Sequence, residues 1–180
     1  MPIVLPPSAS AIGRSLPVVQ YLDAYALPLP ALHSASAAAQ AIFRRAPQWV
    51  IALMGLRNAV VKRLGLRPAI STFYGPQPRL GELRPGDHLG PFQVFSVTPT
   101  EVVLGLNDKH LDFRGAVLVE SFGKSAARVW VCTAVQFHNA FGRCYFALIR
   151  PFHVLIVQAM LRAGQCRLES LPPREVAKAP

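Results

Sequence analysis

Three residues that alternate along one predicted strand carry side chains suited to acid–base chemistry. His110, Asp112 and Arg114 are separated by single residues, so in a strand all three side chains project from one face. Asp112 and Arg114 could pair with each other and orient His110, as the partner of a general acid or base does. The same pattern fits a solvent-exposed ladder at the mouth of a hairpin, which is the interpretation we favour over catalysis.

A second group of polar residues lies in the C-terminal part of the chain. Tyr145, Arg150 and His153 fall within an otherwise apolar helical pattern, and His138 ends the strand before it. His153 lies beside Pro151, where a kinked helix frees carbonyl groups that a histidine can satisfy. Alternatively, Tyr145, Arg150 and His153 are polar anchors in an apolar cavity that would hold a carboxylate or phosphate head group. His138 lies on the wetter strand face by alternation, so its use as a ligand contact requires a twist of the strand.

Metal and cofactor motifs are absent from the sequence. Cys132, Cys144 and Cys166 have no metal-like spacing, and the histidines are too scattered to propose a metal set. An odd number of cysteines argues against a disulfide framework, so we predict free thiols in a reducing cytoplasm. No G-x-G-x-x-G segment follows a strand, so we expect no nicotinamide site and no other cofactor.

The chain is strongly basic. Its 19 Lys and Arg residues against 9 Asp and Glu give a formal net charge of +10, which implies attraction to nucleic acid, anionic lipid or acidic ligands. The basic residues are spread out and are not interleaved with aromatic residues, so we do not expect nucleic-acid binding. We expect at most a weak contact with anionic membranes, beside the simpler interpretation of a solvated basic surface.

Length and composition indicate one domain with a real core, since the chain has 180 residues of which 52% are hydrophobic. The longest apolar run, Cys144 to Leu161, is interrupted by polar residues and does not predict a membrane span. The first residues lack the charged and apolar regions of a secretory signal. We predict a cytoplasmic protein with a flexible N-terminal arm (1–20), one domain (21–164) and a basic C-terminal tail (165–180), in an oligomeric state that the sequence leaves open.

The hydrophobic pattern changes to a period of two from Phe92 onward. Four segments joined by turns predict an antiparallel meander with one apolar face and one largely wet face: FQVFSV, EVVLGLN, LDFRGAVLVES and ARVWVCTAVQFHN. Earlier in the chain, DAYALPLP predicts a short strand that its prolines confine to a sheet edge. The stretch 66–91 is rich in proline and glycine, although ISTFYG within it fits another short strand.

Three helices are predicted. The first runs through AAAQAIFRRA with Ser34 or Ser36 as its cap, and the second covers Gln48 to Arg63 with Trp49 in the core. The third and longest runs from the N-cap Asn139 to Gly164. On a 3.6-residue period its main apolar stripe comprises Tyr145, Leu148, Ile149, Phe152, Ile156, Ala159, Met160 and Ala163. The order of elements predicts an α+β fold in which a curved antiparallel sheet grips the long C-terminal helix, with two shorter helices near the N-terminus.

Several segments of the chain resemble the bacterial DUF2867 family, a family of unknown function. They are PQWVIALMGLRNAVVKRLGL, VVLGLNDKHLDFR and HNAFGRCYFALIRPFHVLIVQAML. The ending GR-x-Y-x-x-x-x-x-PFH-x-x-I is similar to the end of the DUF2867 segment that is fused behind some NAD(P)-binding short-chain-dehydrogenase-like proteins. The resemblance covers most of residues 20–163. The family looks related to the START/Bet v 1-like (SRPBCC) helix-grip proteins, which implies a hydrophobic cavity between sheet and C-terminal helix and no catalytic residues to carry over.

We therefore predict that the protein binds a small hydrophobic or amphipathic molecule in a cavity between the sheet and the C-terminal helix. A cofactor-free enzyme of the cyclase or dehydratase kind, using His110, Asp112 or His153, is one alternative. A basic adaptor for anionic membrane or nucleic acid is another. We assign no catalytic and no metal-binding residues, and the candidate ligand-binding residues are Tyr145, Arg150, His153, His138, His110, Asp112 and Arg114.

Overall fold

The computed structural model describes residues 4–63, 81–122 and 126–171 of the chain. Its elements are, in chain order, β1 (Tyr21–Leu29), α1 (Ala35–Phe43), α2 (Gln48–Arg63), β2 (His88–Leu89), β3 (Phe92–Val97), β4 (Glu101–Asn107), β5 (Leu111–Phe122), β6 (Ala126–Phe137) and α3 (Ala140–Glu169), with a 3-10 turn at Ile12–Arg14 before them. The predicted strand ISTFYG lies outside the described residues.

The strands form one six-stranded antiparallel sheet in the order β1-β6-β5-β4-β3-β2. Strands β3 to β6 are the predicted meander, which is therefore confirmed. The first strand returns to pair with the last, so that Tyr21 faces Val135 and Leu29 faces Ala127. As predicted, β1 lies at an edge of the sheet, where Pro28 removes no hydrogen bond that a central strand would need. The α+β class and the long C-terminal helix are confirmed.

The inner face of the sheet, which is the face toward α1 and α3, holds the main core. The valines of β5 and β6 on this face, Val117, Val119, Val129 and Val131, are all at most 3% exposed. Helix α1 covers them with small residues, and it begins at the predicted cap, since the Ser34 hydroxyl accepts the Ala37 N–H at 3.2 Å. Its alanines allow the helix backbone to approach the sheet closely.

Helix α3 begins at its predicted N-cap, where Asn139 Oδ1 accepts the Gly142 N–H at 2.9 Å. It runs through Pro151 and continues to Glu169, past the predicted start of the C-terminal tail. Leu168, in this additional turn, is fully buried in the core that α1 and α3 share with the sheet.

The buried side of α3 differs from the predicted stripe. Leu148 and Phe152 of that stripe are 71% and 46% exposed. The buried positions of the helix are Gly142, Phe146, Met160, Leu161, Gly164 and Leu168. A count of apolar residues ignores glycine, yet the two glycines mark the closest contacts: a Cβ atom on Gly142 would collide with the His110 carbonyl, and one on Gly164 with Ile42.

Helix α2 also turns a different residue inward. Trp49, which the sequence pattern assigned to the core, is 47% exposed, whereas the next residue, Val50, is 1% exposed. Adjacent residues of a helix point about 100° apart, so Trp49 and Val50 cannot both face the core, and the helix is rotated to bury Val50. The prediction of a buried Trp49 is therefore wrong.

The outer face of the sheet is not as wet as predicted. Ile12 and Leu16, from the segment predicted as a flexible arm, are 1% and 6% exposed. They pack on the small outward residues of the sheet, which include Ala24, Ala116, Cys132 and Ala134. The Glu101 carboxylate holds this segment, because Oε1 accepts the Ser10 hydroxyl at 2.5 Å and Oε2 accepts the Ala11 N–H at 2.9 Å.

The contact of α3 with α1 predicts opposite effects for two Gly→Ala substitutions. Gly164→Ala should lower the free energy of unfolding by about 1–3 kcal/mol, because the new methyl group forces Ile42 or the helix to move. Gly55→Ala is the matched control in α2, where a Cβ atom meets nothing within 4 Å, and it should raise stability by about 0.5–1 kcal/mol. Urea unfolding of the three proteins measures both effects. Equal effects at the two sites would contradict the close helix contact.

Candidate functional site

A cluster of polar side chains lies on the otherwise apolar inner face, between β1 and the middle of α3. Alternation along β1 places Tyr21, Asp23 and Tyr25 on this face, and Asp23 is opposite Thr133 of β6. Asp23 is 1% exposed. From α3, His153 Nε2 approaches Asp23 Oδ2 to 3.4 Å, and the Tyr21 hydroxyl donates a hydrogen bond to the same oxygen at 2.7 Å.

These neighbours keep the buried carboxyl ionised. Burial acts to raise the pKa of Asp23, but the interaction with His153, followed by hydrogen bonds from Tyr21 and Thr133, lowers the pKa below its usual value. The hydroxyls respond in the opposite direction. Burial, followed by the hydrogen bond to Asp23 and its charge, raises the pKa of Tyr21. Burial, followed by the charge of Asp23 and a poorly aligned hydrogen bond to it, raises the pKa of Tyr25 to about 12. The cluster therefore presents a carboxylate flanked by protonated phenols.

Two polar atoms of the cluster make no well-aligned hydrogen bond in the part of the chain that the structure describes. They are Asp23 Oδ1 and the Tyr25 hydroxyl, and both are buried. Buried polar groups in folded proteins nearly always have a partner, and one left without costs about 1–3 kcal/mol. Two such atoms on alternate residues of β1 indicate a place where a further polar group binds.

Aromatic rings surround His153. The rings of Tyr21, Phe146 and Phe113 have centroids 6.2, 6.1 and 6.4 Å from the imidazole. Phe113 in turn lies 5.4 Å from Phe92. We call these four rings, Tyr21, Phe92, Phe113 and Phe146, the ring wall.

The inner face is closed at one end and open at the other. Beneath α1 its residues are fully buried, whereas Phe92, Phe113 and Tyr21 of the ring wall keep partial exposure although they point to the inner face. His153 lies at this open end, with a side chain that is 13% exposed. The end of the sheet near His153 is thus the accessible part of the inner face.

The predicted trio of Tyr145, Arg150 and His153 is divided by the structure. His153 belongs to the polar cluster. Arg150 lies at the edge of the cluster, with its guanidinium 5.3 Å from the centre of the Tyr21 ring. Tyr145 instead stacks in parallel on the exposed Phe141, with centroids 6.4 Å apart.

The predicted trio on β5 does not form a unit either. Asp112 is on the outer face, where its Oδ2 lies 3.2 Å from Nε2 of His138. Arg114 is buried on the same face, with its guanidinium 3.8 Å from the centre of the Phe95 ring and donating to the carbonyls of Leu106 and Phe113. Arg114 therefore has a structural role.

His110 precedes β5 and turns toward the start of α3. Its ring lies 4.7 Å from that of Phe141, and its Nδ1 is 3.1 Å from Nδ2 of the N-cap Asn139. His110 Nε2 is buried without a partner among the described residues. His110 thus helps to place the helix start, apart from Asp112 and Arg114.

Sequence analysis missed the residues at the centre of the cluster, Tyr21, Asp23, Tyr25 and Thr133. One signal was available, because Asp23 is a charged residue between two tyrosines at the alternate positions of a strand. Its meaning depends on β1 lying beside β6 and beneath α3, which no local pattern shows.

A metal site and a surface groove are the other kinds of site to consider. Within the described residues, no group of three His, Cys, Asp or Glu side chains could hold a metal ion. A small groove of about 210 Å³ lies at the start of α1 and is lined by Ser34, Ser36, Glu82, Val97, Thr98 and Pro99. None of the polar cluster residues borders it.

The lowered pKa of Asp23 predicts a pH-dependent cost for its removal. A group whose pKa is depressed by folding contributes stability above its unfolded pKa of about 3.9, and this contribution is lost as the pH falls through the folded pKa. Asp23→Asn should therefore cost about 3 kcal/mol at pH 6, since it also leaves His153 without its partner. The difference from wild type should shrink as the pH is lowered below about 4.

Urea unfolding across this pH range measures the effect. Asp108→Asn, at an exposed aspartate of the β4–β5 turn, is the matched control and should change stability at pH 6 by less than about 0.5 kcal/mol. A difference between Asp23→Asn and wild type that stays constant with pH would mean that the carboxylate charge does not stabilise the fold.

Comparison with known proteins assigns the chain to a family. Residues 15–160 match the family described as Protein of unknown function (DUF2867). No curated protein matches the chain.

Solved structures with a similar arrangement have low sequence identity. A START superfamily protein from Mycobacterium smegmatis has 10% identity and a TM-score of 0.43, over 84% of this chain and 99% of that one. Norcoclaurine synthase from Thalictrum flavum, in complex with dopamine and hydroxybenzaldehyde, has 12% identity and a TM-score of 0.45, over 97% of this chain and 99% of that one. The family match covers most of the chain, from the segment before β1 to the middle of α3, and confirms the resemblance noted in the sequence: the protein belongs to the DUF2867 family.

Proposed function

We propose that the protein binds a small amphipathic molecule at the open end of the inner face, between the sheet and α3. The observation that carries the proposal is the pair of buried oxygens that make no well-aligned hydrogen bond among the described residues, Asp23 Oδ1 and the Tyr25 hydroxyl. A ligand whose polar group reaches these atoms would satisfy them together, and each hydrogen bond formed contributes about 0.5–1.5 kcal/mol.

The charge of the cluster selects the kind of polar group. Asp23 is held ionised and its Oδ1 accepts no well-aligned hydrogen bond within the described residues, so the ligand should offer a hydrogen-bond donor such as a hydroxyl or an ammonium group. A carboxylate or phosphate head group, which the sequence pattern of Arg150 and His153 had indicated, would meet the Asp23 charge and be repelled. The proposed ligand is therefore neutral or cationic at its polar end.

The ring wall would take the apolar part of the ligand. Phe92, Phe113 and Tyr21 stand on the inner face and retain exposed surface that a ligand could cover. Removing about 300 Å² of apolar ligand surface from water contributes about 7 kcal/mol at about 25 cal/mol/Å², before the cost of association is subtracted. Flat or cyclic apolar groups would suit a site walled by aromatic rings.

Tyr25→Phe provides a sharp test, because it removes one of these two oxygens and little else. The substitution should change the free energy of unfolding of the free protein by less than about 1 kcal/mol, since the buried hydroxyl has at most a poorly aligned hydrogen bond to Asp23 to lose. Affinity for the ligand should fall about tenfold through the loss of one hydrogen bond. Native mass spectrometry of freshly purified protein measures the added small-molecule mass, and chemical unfolding measures stability.

Tyr145→Phe is the matched control, because its ring stacks on the exposed Phe141 outside the polar cluster. It should retain wild-type ligand occupancy. Wild-type protein that carries no added mass, even after incubation with an extract of small apolar metabolites, would contradict ligand binding. Equal losses in Tyr25→Phe and Tyr145→Phe would contradict the proposed position of the ligand.

The buried pair of Asp23 and His153 favours a second candidate function, which is cofactor-free acid–base chemistry on the bound molecule. An imidazole 3.4 Å from a buried carboxylate has the partner that general bases use to stay oriented. His153 could then take a proton from a carbon next to a carbonyl group and return it, as cyclase and dehydratase reactions require in their first step.

Deuterium exchange separates this candidate from binding alone. The molecule recovered from native mass spectrometry would be incubated with the protein in D₂O and then analysed in H₂O, so that only deuterium bound to carbon remains. Acid–base chemistry predicts faster incorporation with wild type than with His153→Gln at equal ligand occupancy. Incorporation no faster than in the free molecule would leave the protein as a binder without this activity.

A further inference from the structure

A row of apolar side chains lies exposed on the side of α3 that faces away from the sheet. We call it the outer stripe, and it consists of Phe141, Leu148, Phe152 and Leu155, which are 44%, 71%, 46% and 58% exposed. Their spacings of seven, four and three residues place them along one line of the helix. Surface leucines scattered singly need no explanation, but a continuous apolar row on a helix indicates an interaction surface.

The exposure of α3 is unusual for so apolar a helix. In the part of the chain that the structure describes, α3 is long and apolar enough to cross a membrane by length and composition, and only 17% of its most apolar window is buried in the protein. A helix that belonged wholly to the core would bury most of that window. The outer stripe accounts for the difference.

The charge of the chain favours an anionic partner for the outer stripe. Successive residues of a helix are about 100° apart, so Arg162 lies at the flank of the stripe, whereas Arg143 and Arg150 project from the far side of α3, where Arg150 contacts Tyr21. The only acidic residue of α3 is Glu169 in the last position. Self-association through the stripe would bring together two chains of net charge +10, which charge repulsion opposes.

We propose that the outer stripe docks the protein on an anionic lipid bilayer, with α3 lying in the plane of the membrane surface. The apolar side chains would enter the boundary between headgroups and acyl chains, and the net positive charge of the chain would attract it to the anionic headgroups. The long side chain of Arg162 can extend from the flank of the stripe to reach them.

The attachment of α3 to the rest of the domain fixes this orientation. Gly164 packs on Ile42, and Arg167 donates to the Ala41 carbonyl at 2.6 Å, so the inner side of the helix stays on α1. His153 holds the middle of the helix on β1 through Asp23. A helix held along one side in this way can present its other side to a surface while the fold remains intact. The proposal does not depend on the ligand site, which lies on the opposite side of α3.

Sedimentation with vesicles tests the proposal directly. Full-length protein would be mixed with vesicles of phosphatidylcholine alone, or with about 30% phosphatidylglycerol, at low and high salt. Wild type should pellet with the anionic vesicles and remain in solution with the neutral ones, and high salt should weaken the binding. Leu148→Glu with Leu155→Glu should lower the partition coefficient at least about tenfold, since it places charge in the docking face.

A matched pair of substitutions controls for charge alone. Leu5→Glu with Val18→Glu makes the same change of net charge at residues that are 80% and 54% exposed in the N-terminal segment, and it should lower partitioning less than about threefold. Arg162→Gln should weaken binding to anionic vesicles about fivefold, and Arg14→Gln is its control at an exposed position outside α3.

Three results would overturn the proposal. The first is wild-type protein that does not pellet with anionic vesicles, or that pellets equally well with neutral ones. The second is an equal loss of binding in the stripe pair and its N-terminal control, which would mean that the change of net charge alone explains the loss. The third is a wild-type dimer, seen by light scattering, that the stripe substitutions convert to a monomer, which would assign the stripe to self-association. Thermal unfolding of every variant confirms that the fold is retained.

Discussion

An ionised carboxylate buried on the inner face of an edge strand is the constraint on which the arrangement of this protein depends. Asp23 is 1% exposed, and an isolated charge in such a place would cost several kcal/mol. Three elements offset that cost: β1 through Tyr21, β6 through Thr133 and α3 through His153. His153 reaches Asp23 only if α3 crosses β1 with this residue turned inward. The pair therefore fixes the rotation of the helix about its own axis, and with it which side of α3 is covered.

Close packing at both ends of α3 completes the constraint. Gly142 lies against the His110 carbonyl near the start, where Asn139 caps the helix, and Gly164 lies against Ile42 near the end. A side chain at either glycine would lift the helix away from the domain. With the helix held at its start, middle and end, α1 and α3 close the inner face over the valines of the sheet. Phe43, the last residue of α1, reaches as far as Phe92, with ring centroids 5.7 Å apart. Nearer to His153, the rings of Phe113 and Tyr21 keep partial exposure.

The parts of this fold that sequence analysis predicted are those that local patterns determine. Strands β3 to β6 are half-buried and adjacent in the chain, so their alternation and short turns were sufficient. The caps Ser34 and Asn139 act within four residues of themselves and were equally accessible. Each of these features depends on a residue and its near neighbours, which is the range that a period or a capping rule covers.

The parts that sequence analysis missed depend on contacts between distant segments. Asp23 gains its meaning from pairing with a strand more than a hundred residues later. The buried side of α3 is decided by its contact with α1, and a hydrophobic period cannot make that choice when both sides of a helix are apolar. The outer face of the sheet was expected to be wet, but it carries small residues that Ile12 and Leu16 cover. That cover comes from a distant segment of the chain, so the pattern of the strands does not show it.

The turn of α3 around Pro151 joins the two surfaces of the helix. His153 points to the carboxylate inside, whereas the adjacent Phe152 is 46% exposed outside. Proline has no N–H, so the carbonyl four residues earlier, at the exposed Ala147, loses its helical partner and needs another. Such a group is costly in the middle of a bilayer, and so is Arg150, which projects from the other side of the helix toward Tyr21. The same residue that interrupts the helical hydrogen bonds thus favours a helix that lies on a membrane surface over one that crosses it.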